Sequence, residues 1–241
     1  MPTPALSLTN VSKHYQGRAV VDALTLSVAT GETLVLLGTS GCGKTTTLKM
    51  INRLLEPDSG LITINGADIR AQPAHELRRN IGYVMQDAGL FPHYTVAENI
   101  GVVPRLLGWP PDRTQQRTHE LLRLLRLPET VLNQRPDQLS GGQRQRVGLA
   151  RALAANPPLI LMDEPFGALD PITRADIRQE FRELDVLRQK TIVLVTHDVR
   201  EALLLGDRIA LMDAGKLVQL GPPSALQNHP ATPFVARYMS L

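Results

Sequence analysis

A glycine-rich stretch near the N-terminus has the residue types and spacing of a phosphate-binding loop. It reads Gly38-Thr39-Ser40-Gly41-Cys42-Gly43-Lys44-Thr45-Thr46, matches G-x-x-x-x-G-K-[S/T], and directly follows an apolar run over 33–37. Glycines let successive amides turn around phosphate oxygens, and a following helix N-terminus adds positive charge. Lys44 is suited to the β- and γ-phosphates and the Thr45 hydroxyl to Mg²⁺. The alternative is a glycine-rich turn with a chance lysine.

Two carboxylates follow a second apolar run over residues 159–162, where open α/β sheets bind ligands. Asp163 is expected to hold Mg²⁺, directly or through water, and Glu164 to polarise the water that attacks the γ-phosphate. Alternation along a strand points the two side chains in different directions, which fits two roles. The alternative is an acid pair that only ends the strand before Pro165.

A third candidate lies far from the first in sequence. The segment Leu139-Ser140-Gly141-Gly142-Gln143 precedes a helical stretch over 144–155. Serine and two glycines expose amides at a helix N-terminus, which makes a second anion-binding surface in the same chain. The alternative is that Ser140 is only a helix N-cap with glycine flexibility beside it.

The elements that position these residues alternate between short apolar runs and helical stretches, which indicates an α/β fold. All-apolar runs favour parallel strands buried on both faces, whereas the early, glycine-punctuated runs favour an antiparallel sheet. The expected strands are Leu6–Val11, Leu24–Val28, Thr33–Leu37, Leu61–Ile64, Ile81–Met85, Leu159–Met162, Thr191–Thr196, Arg208–Asp213 and Lys216–Leu220.

A helical subdomain over residues 88–156 is predicted to interrupt a sheet domain formed by residues 1–87 and 157–241. Thr95 and Glu98 form a capping-box pattern at the start of one helix. Leucines at helical spacing predict a second helix over Thr114–Leu127, and a third is expected over about 142–155.

Composition narrows the class of protein. The chain has 241 residues, 43% of them hydrophobic, and a formal charge of +3 with scattered arginines, so no nucleic-acid partner is expected. No apolar run approaches the roughly 18 residues that cross a bilayer. The N-terminus shows no secretion signal, and a single cysteine excludes an internal disulfide. We therefore expect a cytoplasmic protein that meets membranes through a partner.

Taken in order, these motifs resemble those of the ABC ATPase family, whose LSGGQ signature residues 139–143 reproduce. The resemblance implies one ABC ATPase domain over residues 1–241: a P-loop NTPase (RecA-like) core with an antiparallel β-subdomain and an inserted α-helical subdomain. It implies ATP and Mg²⁺ as ligands. It also implies a homodimer in which each signature closes on the γ-phosphate held by the other subunit.

Five further positions match the family pattern. Gln86 resembles the glutamine that senses Mg²⁺ and the attacking water, and His197 resembles the switch histidine at the γ-phosphate. Asp170 resembles the D-loop residue at the dimer interface, although it is also a good helix start before proline. Tyr15 resembles the aromatic residue that stacks on adenine, with Val20 in the same pocket. A histidine after a strand is otherwise more often structural.

The segment after Gln86, residues 87–100, corresponds in the family to the groove that receives a helix of the membrane permease. Leu90, Phe91 and Tyr94 are expected to be exposed anchors there; the alternative is internal packing of the loop. The chain would then lie on the inner face of the cell membrane.

Residues 89–93 and 102–109 are similar to ATPases of osmoprotectant importers, which take up glycine betaine, choline or carnitine with a substrate-binding protein. Many of those relatives carry C-terminal CBS domains, and this sequence ends at Leu241 without them, so we expect no osmotic gating through such domains. Import of another small solute, a soluble ABC ATPase and a non-hydrolysing switch are the alternatives.

Cys42 lies inside the phosphate-binding loop at a helix N-terminus, a position that lowers a thiol pKa. We expect a reactive thiol whose alkylation blocks ATP binding and which Mg-ATP protects. The alternative is a small, inert packed residue.

Overall fold

The structure is a computed structural model that describes residues 3–240, except the side chains of Asp185 and Arg188. Its strands are β1 Leu6–Tyr15, β2 Arg18–Val28, β3 Thr33–Gly38, β4 Ser59–Ile64, β5 Ala67–Asp68, β6 Ile81–Val84, β7 Leu159–Asp163, β8 Thr191–Thr196, β9 Arg208–Asp213 and β10 Lys216–Gly221. Its α-helices are α1 Lys44–Ile51, α2 Ala74–Arg79, α3 Val96–Ile100, α4 Val102–Leu106, α5 Pro111–Leu124, α6 Gly141–Leu153, α7 Pro171–Glu183, α8 Asp185–Arg188, α9 Val199–Leu205, α10 Pro223–Asn228 and α11 Pro233–Met239.

The chain divides into two compact units, residues 1–78 with 186–241 and residues 79–185. In the first unit, β1 pairs antiparallel with both β2 and β4, and β4 pairs with β5. Leu6, Leu8 and Val11 are buried on one face of β1 while Thr9 and Asn10 are exposed. This alternation is the pattern expected of an antiparallel sheet with one solvated face.

A second sheet of the same unit carries the phosphate-binding loop. Strand β3 pairs in parallel with β8 on one side and β9 on the other, and β10 closes the edge antiparallel to β9. Residues 34–37 of β3 and all of β8 are buried, because the central strands of a parallel sheet are covered on both faces. The continuous apolar runs at β3 and β8 therefore form buried strands, as the sequence predicts.

The second unit combines a parallel pair of strands with helices. Strand β6 pairs with β7 in the register Ile81 to Leu159, and α6 packs against α3, α5, α7 and β6. Helix α6 buries Val147, Ala150 and Leu153 on its inner face. The capping box at Thr95 and Glu98 is present, as predicted.

Some expected boundaries differ. Helix α5 ends at Leu124 rather than Leu127, because Arg126 adopts φ 53° and the Leu127 amide donates to the Leu122 carbonyl in a C-terminal turn. Strand β1 extends past Val11 to Tyr15, and the two-residue β5 was not predicted. Within residues 3–240, no helix is both long enough and apolar enough to cross a bilayer.

Candidate functional site

The predicted phosphate-binding loop connects β3 to α1 in the first unit, and two of its glycines are required by close backbone approach. Gly38 has φ 150° and Gly43 has φ 100°. A Cβ atom at Gly38 would lie 2.1 Å from the Met212 carbonyl oxygen, and one at Gly43 would lie 2.4 Å from the Val20 carbonyl oxygen. Only glycine fits both positions, so the loop keeps the tight turn that presents amides to a phosphate.

Lys44 begins α1 and is folded back over the loop. Its ammonium donates hydrogen bonds to the carbonyl oxygens of Gly38 and Thr39, each at 2.8 Å, and only 5% of the residue is exposed. Three-donor ammonium groups can exchange such carbonyls for phosphate oxygens without moving the helix. No side chain caps α1, whose N-cap is Gly43, so its N-terminus offers main-chain amides to an anion.

The expectation of a lowered pKa for the Cys42 thiol is wrong. The residue is buried, with 2% exposed, and burial raises the pKa of its thiol even though the nearby charge of Lys44 opposes the shift. Desolvation therefore outweighs both the lysine and the helix N-terminus. The alternative reading, a small packed residue, is the one that the structure supports.

Tyr15 and Val20 are the two residues expected to contact adenine. The Val20 carbonyl touches the phosphate-binding loop, where it faces both Gly43 and Gly215. Tyr15 lies at the β1–β2 turn with 44% of the residue exposed, and the Lys13 ammonium lies 5.8 Å from its ring centroid. Exposed aromatic surface at this turn is compatible with stacking on a base, and both roles remain predictions.

His197 follows β8 and is exposed. The backbone on either side of it is fixed: the Thr196 hydroxyl donates to Glu201 at 2.5 Å, and the Asp198 amide donates to the Thr196 hydroxyl at 3.0 Å. The Tyr238 hydroxyl donates to the His197 carbonyl at 3.4 Å. These contacts fix the backbone around His197, and its role as a switch histidine remains a prediction.

In the second unit, the Glu164 carboxylate that follows β7 lies beside Gln86. The Gln86 amide Nε2 donates to Glu164 Oε2 at 3.5 Å, and Glu164 has φ 44°. Gly167 packs beside this pair, and a Cβ there would make only an ordinary contact, 3.4 Å from Gln86 Nε2. Burial, with the negative charge of Asp163 added to it, raises the pKa of Tyr83 on the neighbouring strand. The predicted site residues Gln86 and Glu164 are therefore in contact, and Asp163, the third, is the last residue of β7.

The predicted signature forms the N-terminus of α6. Ser140 Oγ accepts from the Gln143 amide at 3.2 Å, and Gln143 Oε1 accepts from the Ser140 amide at 2.8 Å. Leu139 is buried while Ser140 is exposed. Gly142 packs against α7, where a Cβ would lie 3.0 Å from Thr173 Cγ2. The N-cap alternative is therefore realised, and it coexists with the presentation of this helix end to solvent.

Asp170 caps α7 by accepting from the Thr173 amide at 3.1 Å. Hydrogen bonds from the side chain and backbone of Thr173 lower the pKa of Asp170. Arg174 Nη2 donates to the carbonyl of Leu169 at 2.8 Å, which fixes the loop in front of the cap. Asp170 is therefore the helix N-cap that the sequence predicts, and its role at a dimer interface remains a prediction.

Two residues that no sequence motif marks hold the loop after Gln86. Asn99 accepts from the Phe91 amide at 2.8 Å and donates to the Thr95 carbonyl at 3.0 Å. Arg151 donates to the carbonyls of Ala88 and Gly89, each at 2.7 Å. A buried polar residue on the inner face of a helical stretch, as at Asn99, is the sequence signal for such an anchor.

Phe91 is 42% exposed, as expected, whereas Leu90 and Tyr94 are only half-exposed because they pack partly within the loop. Beside this loop lies a cavity of about 430 Å³ whose lining includes Glu98, Arg105 and Trp109. Among residues 3–240 no cluster of three or more His, Cys, Asp or Glu side chains could hold a metal ion by itself.

A sequence profile described as "ABC transporter" matches residues 21–167. The chain belongs to the ABC transporter family. It is 53% identical over 97% of its length to the glycine betaine/carnitine/choline transport ATP-binding protein OpuCA of Bacillus subtilis, and covers 62% of that protein. It is 51% identical over 97% of its length to the glycine betaine uptake system ATP-binding protein YehX of Escherichia coli, and covers 76% of it.

Among solved structures, a dimeric ATP-binding cassette in a post-hydrolysis state with ADP and Pi is similar to this ABC chain, with a TM-score of 0.80 and 35% identity. The match covers 90% of this chain and 98% of that cassette. The predicted family, the similarity to ATPases of osmoprotectant importers and the P-loop fold with two sheet types are confirmed. The roles of individual residues and the subdomain boundaries at 88 and 156 remain predictions.

Proposed function

We propose that this ABC chain binds and hydrolyses ATP and thereby energises import of a small solute, an osmoprotectant or quaternary amine such as glycine betaine or choline. The observation that carries the hydrolysis is the pairing of Gln86 with Glu164, at 3.5 Å, at the end of a buried strand. The substrate class rests on the names of relatives such as OpuCA and YehX.

The phosphate-binding loop receives the β- and γ-phosphates, and Lys44 transfers its hydrogen bonds from loop carbonyls to phosphate oxygens. In this proposal Thr45, Gln86 and Asp163 would supply oxygen ligands to Mg²⁺, which prefers oxygen donors. When bound, Mg²⁺ neutralises phosphate charge. Glu164 then takes the proton of the attacking water, and Gln86 orients that water.

The working unit in this proposal is a homodimer. Each signature, Leu139 to Gln143, binds the nucleotide held by the second copy, with His197 and Asp170 completing the arrangement. Two features support it: α6 presents a capped N-terminus with Ser140 exposed, and the similar solved cassette is a dimer.

The membrane permease binds at the loop after Gln86 on the cytoplasmic face, and a substrate-binding protein acts on the same permease from outside. Exposed apolar side chains around this loop support that partner: Met85, Phe91, Leu106 and Leu107 are each at least 39% exposed. Asn99 and Arg151 already fix the loop, so little ordering is needed on docking.

Substitution Glu164→Gln tests the proposal. We expect kcat for Mg-ATP hydrolysis to fall by about 100-fold or more, as for loss of a general base, while ATP binding is retained and ATP-dependent dimers accumulate. Steady-state phosphate release and light scattering measure the two effects. Glu120→Gln, an exposed residue of α5, is the matched control and should leave the rate unchanged. Equal rates for wild type and Glu164→Gln would contradict the assignment.

Uptake by proteoliposomes that contain the chain with its permease tests the substrate class. Labelled glycine betaine, choline and a neutral amino acid are compared at equal concentration. ATP-dependent uptake restricted to the quaternary amines is expected, whereas uptake of the amino acid alone would contradict it.

A further inference from the structure

Gln145 lies on α6, two residues after the signature, and its side chain is unusually placed for an amide. The residue is 6% exposed, and none of the groups in residues 3–240 accepts a hydrogen bond from its Nε2. A buried donor that has lost water without gaining an acceptor costs free energy. An apolar side chain of the same size would cost less here, so the amide needs another explanation.

Gln145 borders a small gap of about 20 Å³. The other side of this gap is built from residues that adjoin the candidate catalytic pair: Val84 is two residues before Gln86, and Pro165 directly follows Glu164. Gln145 therefore shares this gap with the segments that carry both groups expected to orient the attacking water.

The packing around Gln145 is uneven. At the start of α6, Gly142 is in close contact with Thr173 of α7, since a Cβ would lie 3.0 Å from that methyl group. Further along the same interface a second gap of about 90 Å³ is lined by Leu149, Ile177 and Phe181, among others. These two gaps leave space beside α6 near Gln145, so this part of the helix has room to shift.

We propose that Gln145 is a positioning residue for hydrolysis. When the signature engages nucleotide, α6 moves into the gap and Gln145 Nε2 donates to a main-chain carbonyl of the Pro165–Phe166 segment. That bond fixes the backbone next to Glu164 and so sets the geometry of the Gln86–Glu164 pair. The inference rests on the proposed function, because it assigns the amide to the hydrolytic step.

Gln145→Met, which keeps the length of the side chain and removes the donor, tests the inference in the purified chain. We expect a higher Tm than wild type, because an unpaired buried amide is removed. We also expect kcat for Mg-ATP to fall about tenfold with KM for ATP within twofold, because misplacement of a reacting group reduces turnover rather than binding. Leu149→Met is the matched control: it borders the same gap without an amide, and its kcat should stay within twofold of wild type.

A more stable Gln145→Met with unchanged kcat would show that the amide has only a packing role and would overturn the inference. Unfolding of both Gln145→Met and Gln145→Leu would also overturn it, because the inference requires that apolar replacements be tolerated. A wild-type chain that does not hydrolyse Mg-ATP, or that is unaffected by Glu164→Gln, would instead refute the proposed function itself.

Discussion

Helices α1 and α6 both begin at glycine-rich segments that we assign to phosphate recognition, and the two N-termini are built by different means. At α1 no side chain caps the helix, and Lys44 bonds to loop carbonyls of Gly38 and Thr39. At α6, Ser140 and Gln143 cap each other reciprocally. The first N-terminus keeps its amides free of any side-chain cap, whereas the second is capped within the four residues from Ser140 to Gln143.

The glycines of the two segments also differ. A Cβ at Gly43 would strike the Val20 carbonyl at 2.4 Å, on a strand that is distant in sequence, and φ is 100°. A Cβ at Gly141 would make only an ordinary contact, 3.7 Å from Leu169 Cδ2. The fold therefore requires glycine at position 43, while at position 141 the fold accepts a methyl group and only ligand approach would exclude it.

Replacement of each of these two glycines by alanine should have a different result. Gly43→Ala should lower stability by about 2–4 kcal/mol, through backbone strain and overpacking, and abolish ATP binding. Gly141→Ala should change stability by less than about 1 kcal/mol and keep ATP binding, yet lower ATPase activity strongly. Thermal unfolding, nucleotide titration and phosphate release measure these. Equal destabilisation by both substitutions would refute the contrast.

Sequence patterns predict most reliably the elements whose stabilising contacts lie between residues close together in the chain. Strand β7 was expected because Leu159 to Met162 are all apolar, and the Thr95 capping box because its partners are three residues apart. Strand β1 is longer than the sequence predicts, because Ser12, Lys13 and His14 lack the apolar alternation and pairing with β2 and β4 keeps them extended. Long-range pairing overrode local preference there.

The candidate site shows the same limit. The spacing of the phosphate-binding loop identifies Lys44, but the sequence leaves open whether Cys42 is reactive or packed, since burial depends on tertiary packing. Likewise, Arg151 reaches the Gly89 carbonyl across 62 positions, a contact that no local pattern encodes. Gln145 sits within a motif-rich stretch, and only its burial without an acceptor marks it as unusual.

The two helices should also differ in how much a serine near each N-terminus contributes to stability. Ser140→Ala removes the acceptor for the Gln143 amide and should cost about 1 kcal/mol of stability. Ser40→Ala, in the exposed part of the phosphate-binding loop, should change stability by less than about 0.5 kcal/mol, because α1 has no side-chain cap. Urea unfolding of both variants measures the difference. A cost for Ser40→Ala equal to that for Ser140→Ala would contradict it.

A thiol at the N-terminus of α1 and one at the N-terminus of α6 experience a similar helix dipole but differ in burial, so their reactivities should differ. Native Cys42 should react slowly with iodoacetamide at pH 7, with a rate that still rises above pH 9, because burial raises its pKa and Mg-ATP has little further access to remove. A thiol introduced by Ser140→Cys in a Cys42→Ala background is exposed and should react at least about tenfold faster. Because both sites share the favourable dipole, faster labelling of native Cys42 would mean that burial does not control reactivity in the phosphate-binding loop.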